Sequence, residues 1–155
     1  MTPRARTNQL LYQAELLLDA PARDDEHAES RRMAQEEGAL ALLELALEAL
    51  LRDVTEHAHL AEHDWQELLL GPQRLAVAEV QRLRVLADDG DTWLGWLVDR
   101  LSALHGDGGV ARRRDTGSTQ LISIAGQALL GDELRSCVRD AKREIAALRE
   151  TSEEW

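Results

Sequence analysis

The stretch ALALLELALEALLRDV, residues 39–54, decides the fold of this chain. Within it Leu40, Leu43, Leu47, Leu50 and Val54 recur at alternating spacings of three and four residues, which is the period of one helix face. Further leucines and alanines lie beside that face, so the segment is apolar on more than one side. We therefore expect a long second helix at the centre of the fold, packed against several neighbours.

Shorter amphipathic segments lie on both sides of this stretch. The last of them carries Leu134, Val138, Ala141, Ile145 and Leu148, again at spacings of three and four. Strand signals are nearly absent, because β-branched residues are few and no run alternates between apolar and polar. The sequence thus predicts an all-α fold, an antiparallel bundle of five to six helices around the long second helix.

Capping residues, glycines and prolines set the predicted helix ends. Thr2 and Pro3 start the first helix, Asp24 or Asp25 the second, and Asp91 caps a later one. The predicted spans are about 3–18, 25–59, 65–70, 72–87, 92–105 and 132–150. Residues 1–155 form a single domain with a flexible loop rich in glycine and arginine at about 106–118, and residues 121–124 fit either a short extended segment or a helical turn.

The charge balance bears on possible partners. The chain has 155 residues, with 29 acidic against 18 basic side chains and a formal net charge of −11. Such a surface repels phosphate backbones, so nucleic acid is an unfavourable partner, whereas a basic protein partner is compatible with it. The longest apolar-rich run, at residues 39–51, is too short to span a bilayer, and no secretory signal is visible, so we expect a cytoplasmic protein without a membrane partner.

Arg52 and His57 form the first candidate catalytic pair. The segment RDVTEH, residues 52–57, fits the arginine, polar residue, three variable residues, histidine pattern of HEPN ribonucleases, which are helical bundles and usually dimers. The resemblance implies that Arg52 stabilises the phosphorane charge and that His57 handles the 2′-hydroxyl proton. The alternative is that both are solvated residues at the end of the long helix.

Glu56, His59 and His63 form a candidate metal site. If the helix continues, His59 and His63 are four residues apart on one face, and Glu56 lies three residues before His59. A Glu-x-x-His motif resembles half of a di-iron bundle site, but the second such motif is missing. The alternative is a set of polar residues at a helix end, and on that interpretation no cofactor or metal is bound.

Tryptophan residues are the third candidate feature. Trp93 and Trp96 are three residues apart, so both lie near one face of a helix. They serve either as packing at the boundary of the core or as an exposed anchor for a protein partner, because tryptophan is enriched in binding hot spots. The only cysteine, Cys137, excludes a disulfide within the chain and a cysteine-rich metal site.

Three stretches carry a family resemblance. They are RTNQLLY at residues 6–12, DTWLGWL at residues 91–97, and Leu121 with Ile122 followed by the final helix from Leu134. Together they resemble an uncharacterised family of small helical proteins of about this length found in gamma-proteobacteria. The resemblance implies a one-domain bacterial helical protein and brings no activity, cofactor or catalytic residue. The leading hypothesis is therefore a non-enzymatic bundle that acts through protein contacts with a partner or as a homodimer.

Overall fold

A computed structural model of the chain describes residues 1–113 and 129–153, in which the regular secondary structure is helical and there is no strand. The helices are α1 (Pro3–Leu18), α2 (Ala28–Val54), α3 (Ala78–Asp88), α4 (Trp93–Leu104) and α5 (Leu130–Glu153). A short 3-10 turn (Glu56–Ala58) and a π-helical turn (Gln66–Leu70) connect α2 to α3. The predicted all-α class with five to six helices is confirmed.

The long second helix is central, as its sequence predicts. Within residues 1–113 and 129–153, α2 contacts each of the other four α-helices. Its buried apolar residues are Ala39, Leu40, Leu43, Ala46, Leu47, Ala49, Leu50 and Leu51. Burying a leucine side chain stabilises a fold by about 1.5–3 kcal/mol, so this one helix supplies a large share of the apolar burial.

α5 runs antiparallel to α1 and is joined to it by a ladder of polar contacts. Arg149 donates to Asn8 at 3.0 Å, and Arg135 donates to Asp19 at 3.3 Å near the other end. The ion pair of Lys142 with Glu15 lies between them. Later residues of α5 contact earlier residues of α1, so the two helices run in opposite directions. The same three contacts fix the register of the pair.

The ends of α2 differ from the prediction. The helix begins at Ala28 rather than at Asp24 or Asp25, because an Asp25 Oδ1 oxygen accepts the backbone N–H of His27 and so stabilises a turn before the helix. It ends at Val54 rather than near residue 59. Buried Thr55 donates its hydroxyl to the carbonyl of Leu51 at 2.5 Å. This bond lies at the point where the chain leaves the helix.

The start of α3 and the capping residue of α4 both differ from the prediction. α3 begins at Ala78 rather than at residue 72. The segment before it is irregular, and Arg84 of α3 donates to the backbone carbonyls of Leu68 and Gly71 at 2.9 and 2.7 Å. α4 is capped by the hydroxyl of Thr92, which accepts from Gly95 N at 3.0 Å, and not by Asp91. At α1 the predicted Thr2 cap is confirmed.

The described start of the loop predicted at residues 106–118 lies against α2. Glu37 accepts the backbone N–H groups of Val110 and Ala111 at 2.9 and 3.2 Å, and Ala111 is buried. The flexibility of this loop stays a prediction. Residues 114–118, residues 121–124 and Trp155 lie outside the described part of the chain. In the described ranges no helix has the length and apolar character needed to cross a membrane.

Candidate functional site

The C-terminal end of α2 lacks the helix face that the metal-site hypothesis required. The chain passes from α2 into the 3-10 turn, and His59 then adopts a left-handed backbone with φ of 49°. His59 and His63 are therefore not four residues apart on one helix. Among residues 1–113 and 129–153 no group of three or more His, Cys, Asp or Glu side chains could hold a metal ion. Glu56, His59 and His63 do not form the set that the sequence suggested.

Arg52 and His57 are both exposed residues near the C-terminal end of α2. His57 lines a cleft at the end of the bundle, whereas Arg52 is not part of its lining. Arg52 acts on His63 instead, whose pKa is lowered below its ordinary value by burial and then by the Arg52 charge. The ribonuclease hypothesis needs the two side chains at one cleft, and of the two only His57 lines this one. The hypothesis stays a prediction.

The cleft that contains His57 is named the end cleft. It has a volume of about 600 Å³ and lies where the first turn of α1 meets the last turns of α2 and α5. Its charged lining residues are Arg4, Asp53, Glu56, Glu79, Arg149 and Glu153, and its apolar wall is formed by Leu50, Val54 and Leu148. Both histidines of the 57–59 segment also face this space. The end cleft therefore combines basic, acidic and apolar groups.

Arg149 is a largely enclosed charged residue of the end cleft, with only 17% of its side chain exposed. Its Nη1 donates to Asn8 Oδ1 at 3.0 Å and its Nη2 to the carbonyl of Arg4 at 3.4 Å, so both acceptors are neutral. The nearest charged partner is Asp53, at 3.9 Å from Nη2, and the buried Nε has no hydrogen-bond partner. Burial, followed by the charge of Arg4, lowers the pKa of Arg149 below its ordinary value.

A second cleft, named the tryptophan cleft, lies between α4 and α5. It has a volume of about 400 Å³ and is lined by Trp93 and Trp96. Four carboxylates surround the two indoles, namely Asp91, Asp132, Glu133 and Asp140. Ser136 and Cys137 of α5 complete much of the wall. The antiparallel packing of α4 on α5 thus brings indoles from one helix to carboxylates of the other.

The two indoles are held differently. Trp96 donates its Nε1 hydrogen to Glu133 at 2.9 Å, and the guanidinium carbon of Arg100 lies 5.5 Å from the centroid of its ring. Trp93 Nε1 is buried and has no hydrogen-bond partner. Both side chains are partly buried and pack against the core with part of their surface. They therefore pack at the boundary of the core, which is one of the two alternatives that the sequence left open, and they also line the cleft.

The acidic groups of the tryptophan cleft differ in their pairing. Asp132 pairs with Arg135 at 3.1 Å, and Asp140 lies 3.6 Å from Arg143. Both arginines belong to α5 and are well exposed. Such exposed pairs contribute little attraction and can exchange partners at low cost. The cleft can therefore accept an external cation against several carboxylates.

Cys137 contributes a wall and no reactive group to the tryptophan cleft. Its thiol is buried and lies 3.8 Å from the carbonyl oxygen of Trp93. Burial, with a smaller effect from the Asp140 charge, raises the pKa of the thiol to about 12. Because the thiolate is the nucleophile, this cysteine is unreactive near neutral pH.

Sequence reasoning identified only part of each cleft. It singled out Glu56, His57 and His59 of the end cleft and Trp93 and Trp96 of the tryptophan cleft. It gave no role to Arg149 or Glu133. The α5 lining of the tryptophan cleft has a sequence signal, since residues 133, 136, 137 and 140 fall on one helix face. Arg149 gives no such signal, because its enclosure depends on where α1 packs.

Comparison with known proteins gives one result about the family. A family model matches residues 1–155, and the family that it describes has no known function. No curated protein and no solved structure matches the chain.

Proposed function

This chain belongs over residues 1–155 to the family of unknown function DUF6586, and from its own geometry we propose that it is a non-enzymatic helical bundle that acts through contacts with a basic protein partner. The observation that carries the proposal is the tryptophan cleft. Two partly buried indoles from α4 lie there beside carboxylates from α5. Tryptophan is among the residues that contribute most to binding energy at protein interfaces.

The lining of the tryptophan cleft favours a basic side chain, arginine above all. A guanidinium group stacks on an indole face and also donates two parallel hydrogen bonds to a carboxylate. The contact of Arg100 with Trp96 shows that this ring already accepts a guanidinium at 5.5 Å. A partner arginine between Trp93 and Asp140 would repeat that contact on the open side of the cleft.

The overall charge supports the same partner class. With a net charge of −11, the chain attracts basic segments over distances comparable to the Debye length, about 8–10 Å at physiological ionic strength. This field raises the association rate, whereas the cleft supplies the specificity. An acidic protein with an indole-lined cleft is therefore suited to capture an arginine-rich or lysine-rich segment.

We place this activity in the bacterial cytoplasm. The family resemblance carried by residues 6–12 and 91–97 supports a bacterial source. A single buried thiol without a possible partner in the chain is compatible with a reducing compartment. Nucleic acid remains an unfavourable partner for a protein of this charge.

The proposal is tested by titrating the protein with a short arginine-rich peptide while following tryptophan fluorescence and heat of binding. We expect saturable binding that weakens as salt is added. The double variant Asp91→Asn with Asp140→Asn should weaken binding roughly tenfold, since each removes a charge at the rim of the cleft.

A charge-matched control separates the cleft from the general acidic field. Asp24 and Asp107 are exposed and lie outside the tryptophan cleft, so their double Asn variant removes the same charge elsewhere. It should leave the affinity nearly unchanged. Equal losses in both double variants, or no saturable binding to the unaltered protein, would overturn the proposal. Sizing at several concentrations shows whether a second copy competes for the same surface.

A further inference from the structure

The outer side of α2 carries apolar residues where a solvent-facing helix normally carries polar ones. Ala34, Gly38, Ala41 and Leu45 recur at spacings of four, three and four residues, so they lie on one helix face. This face is opposite to the buried stripe of α2. Ala34, Ala41 and Leu45 are exposed, and Leu45 keeps 45% of its surface accessible. An exposed apolar row of this length is typical of a contact surface.

α1 widens the same surface. Tyr12 and Leu16 are four residues apart on the outer side of α1, and they are 59% and 53% exposed. α1 packs along α2, and a Cβ atom added to Gly38 would lie 2.9 Å from Leu17 Cδ2. Leu16 therefore lies beside the middle of the α2 row. The hairpin face is the name given below to six residues, namely Tyr12, Leu16, Ala34, Gly38, Ala41 and Leu45.

Charge is distributed unevenly along the α1–α2 pair. The exposed charged residues of the turn that connects the two helices are mostly acidic, namely Asp19, Arg23, Asp24, Asp25 and Glu26. Those at the opposite end of the pair are mostly basic, namely Arg4, Arg6, Arg52 and Glu56. A second copy in the antiparallel orientation brings the acidic end of each pair to the basic end of the other, whereas a parallel orientation brings like charges together.

We propose that the hairpin face binds the same face of a second copy of this chain, with the two α2 helices antiparallel. The twofold axis then passes near residues 38–41, so Leu45 of each copy packs against Ala34 of the other. Large side chains opposite small ones interdigitate and let the helices approach to about 8–10 Å. Leu16 lies close to the axis, and α1 of each copy faces the acidic turn of the other.

The size of the surface fits a dimer that dissociates on dilution. α2 rises about 33 Å from Ser30 to Arg52, and two neighbouring helices are about 20 Å wide. The projected area is therefore roughly 650 Å² per copy. Specific interfaces bury roughly 600–1,000 Å² per partner, so this one is at the lower end of the range.

The dimer leaves the tryptophan cleft open. That cleft is lined by residues between 90 and 96 and between 132 and 140, whereas the hairpin face belongs to α1 and α2. The inference therefore goes beyond the function proposed above and does not depend on it. A dimer of this kind presents two tryptophan clefts to a partner.

The first experiment is analytical ultracentrifugation of the full chain over a range of concentrations. We expect twice the chain mass of 17.3 kDa at about 100 µM and the single-chain mass at about 1 µM or below. Leu45→Glu places a carboxylate in the apolar row and should weaken the dimer at least about tenfold. Val85→Glu makes the same change at a 71% exposed residue of α3, outside the hairpin face, and should have little effect.

Both altered positions are exposed, so both variants should fold. A single-chain mass for the unaltered protein at every concentration would overturn the proposal. Equal weakening by Leu45→Glu and Val85→Glu, or none by Leu45→Glu, would also overturn it, because the copies would then meet through another surface.

A cross-linking experiment tests the orientation of the two copies. Cys137 is buried, so a cysteine introduced at the surface is the reactive thiol of the folded chain. Leu16→Cys lies near the twofold axis and should form a disulfide-linked dimer rapidly under mild oxidation. Val85→Cys should link many times more slowly. Equal rates for the two variants would contradict the antiparallel contact of the hairpin faces.

Discussion

A Cβ atom added to Gly95 would lie 1.9 Å from the carbonyl oxygen of Asp89. The turn between α3 and α4 therefore folds directly onto the first turn of α4. The same turn is held by the Thr92 hydroxyl, which donates to the carbonyl oxygens of Asp89 and Leu86 at 2.8 and 2.6 Å. This close packing sets where Trp93 enters the tryptophan cleft.

Replacing Gly95 should therefore destabilise the fold. In Gly95→Ala the added methyl group meets backbone, which cannot move aside as a flexible side chain can, so we expect a loss of about 2–3 kcal/mol in the free energy of unfolding. Chemical denaturation monitored by circular dichroism measures it. Gly90→Ala is the matched control, because a Cβ at Gly90 meets nothing within 4 Å. Similar losses in the two variants would contradict the close packing of this turn.

Arg84 should hold the segment around the π-helical turn in place. Its guanidinium donates to the carbonyls of Leu68 and Gly71. Arg84→Gln removes charge-assisted hydrogen bonds and should cost about 1–3 kcal/mol, with faster amide exchange in residues 66–71. Arg74→Gln, at an exposed position of the preceding loop, is the control. Unchanged amide exchange in the Arg84 variant would show that the segment is held by its apolar contacts alone.

Features that depend on residues close together in the sequence could be predicted, whereas features that depend on distant contacts could not. The period of Leu40, Leu43, Leu47 and Leu50 is a local property of the chain, and it correctly predicts α2 and its central place. The end of α2 cannot be predicted in this way, because it involves buried Thr55 and the left-handed backbone of His59. Without a helix beyond Val54, the face that the metal hypothesis needs does not exist.

The candidate sites show the same division. The spacing of Trp93 and Trp96 is local, and it predicts that the two indoles lie near one helix face. The pairing of Trp96 with Glu133 joins residues that are 37 positions apart, and the contact of Arg149 with Asn8 joins residues 141 positions apart. The spacing of residues within one helix does not reveal how α5 packs against α1 and α4. Neither cleft could therefore be predicted from that spacing.

Cys137 should resist thiol reagents in the folded protein. Its thiol is buried and its pKa is about 12, so hardly any thiolate is present at neutral pH. We expect labelling by a disulfide reagent to proceed only as fast as the protein opens, and to become rapid in denaturant. In Ser102→Cys, which adds an exposed thiol, that second site should react at once. Rapid labelling of both thiols in the folded variant would contradict the burial of Cys137.

Glu48 should make the protein less stable as the pH rises. Burial, and then the charge of Glu44, raises the pKa of Glu48 above its ordinary value of 4.5, against the opposing charge of Arg52. The folded state therefore binds this proton more tightly than the unfolded state does, so the stabilisation is fully present below pH 4.5 and is lost as the pH rises through the raised pKa.

Glu48→Gln removes this titration and should stabilise the protein at neutral pH relative to the unaltered chain. Because the side chain is only partly buried, we expect a gain of roughly 0.5 kcal/mol that disappears in acid. Urea unfolding across a pH series measures the difference. Glu62→Gln, which removes the same charge at an exposed position, is the control. A gain that persists unchanged below pH 4.5, where both states already hold the proton, would assign the effect to packing instead of to the charge of Glu48.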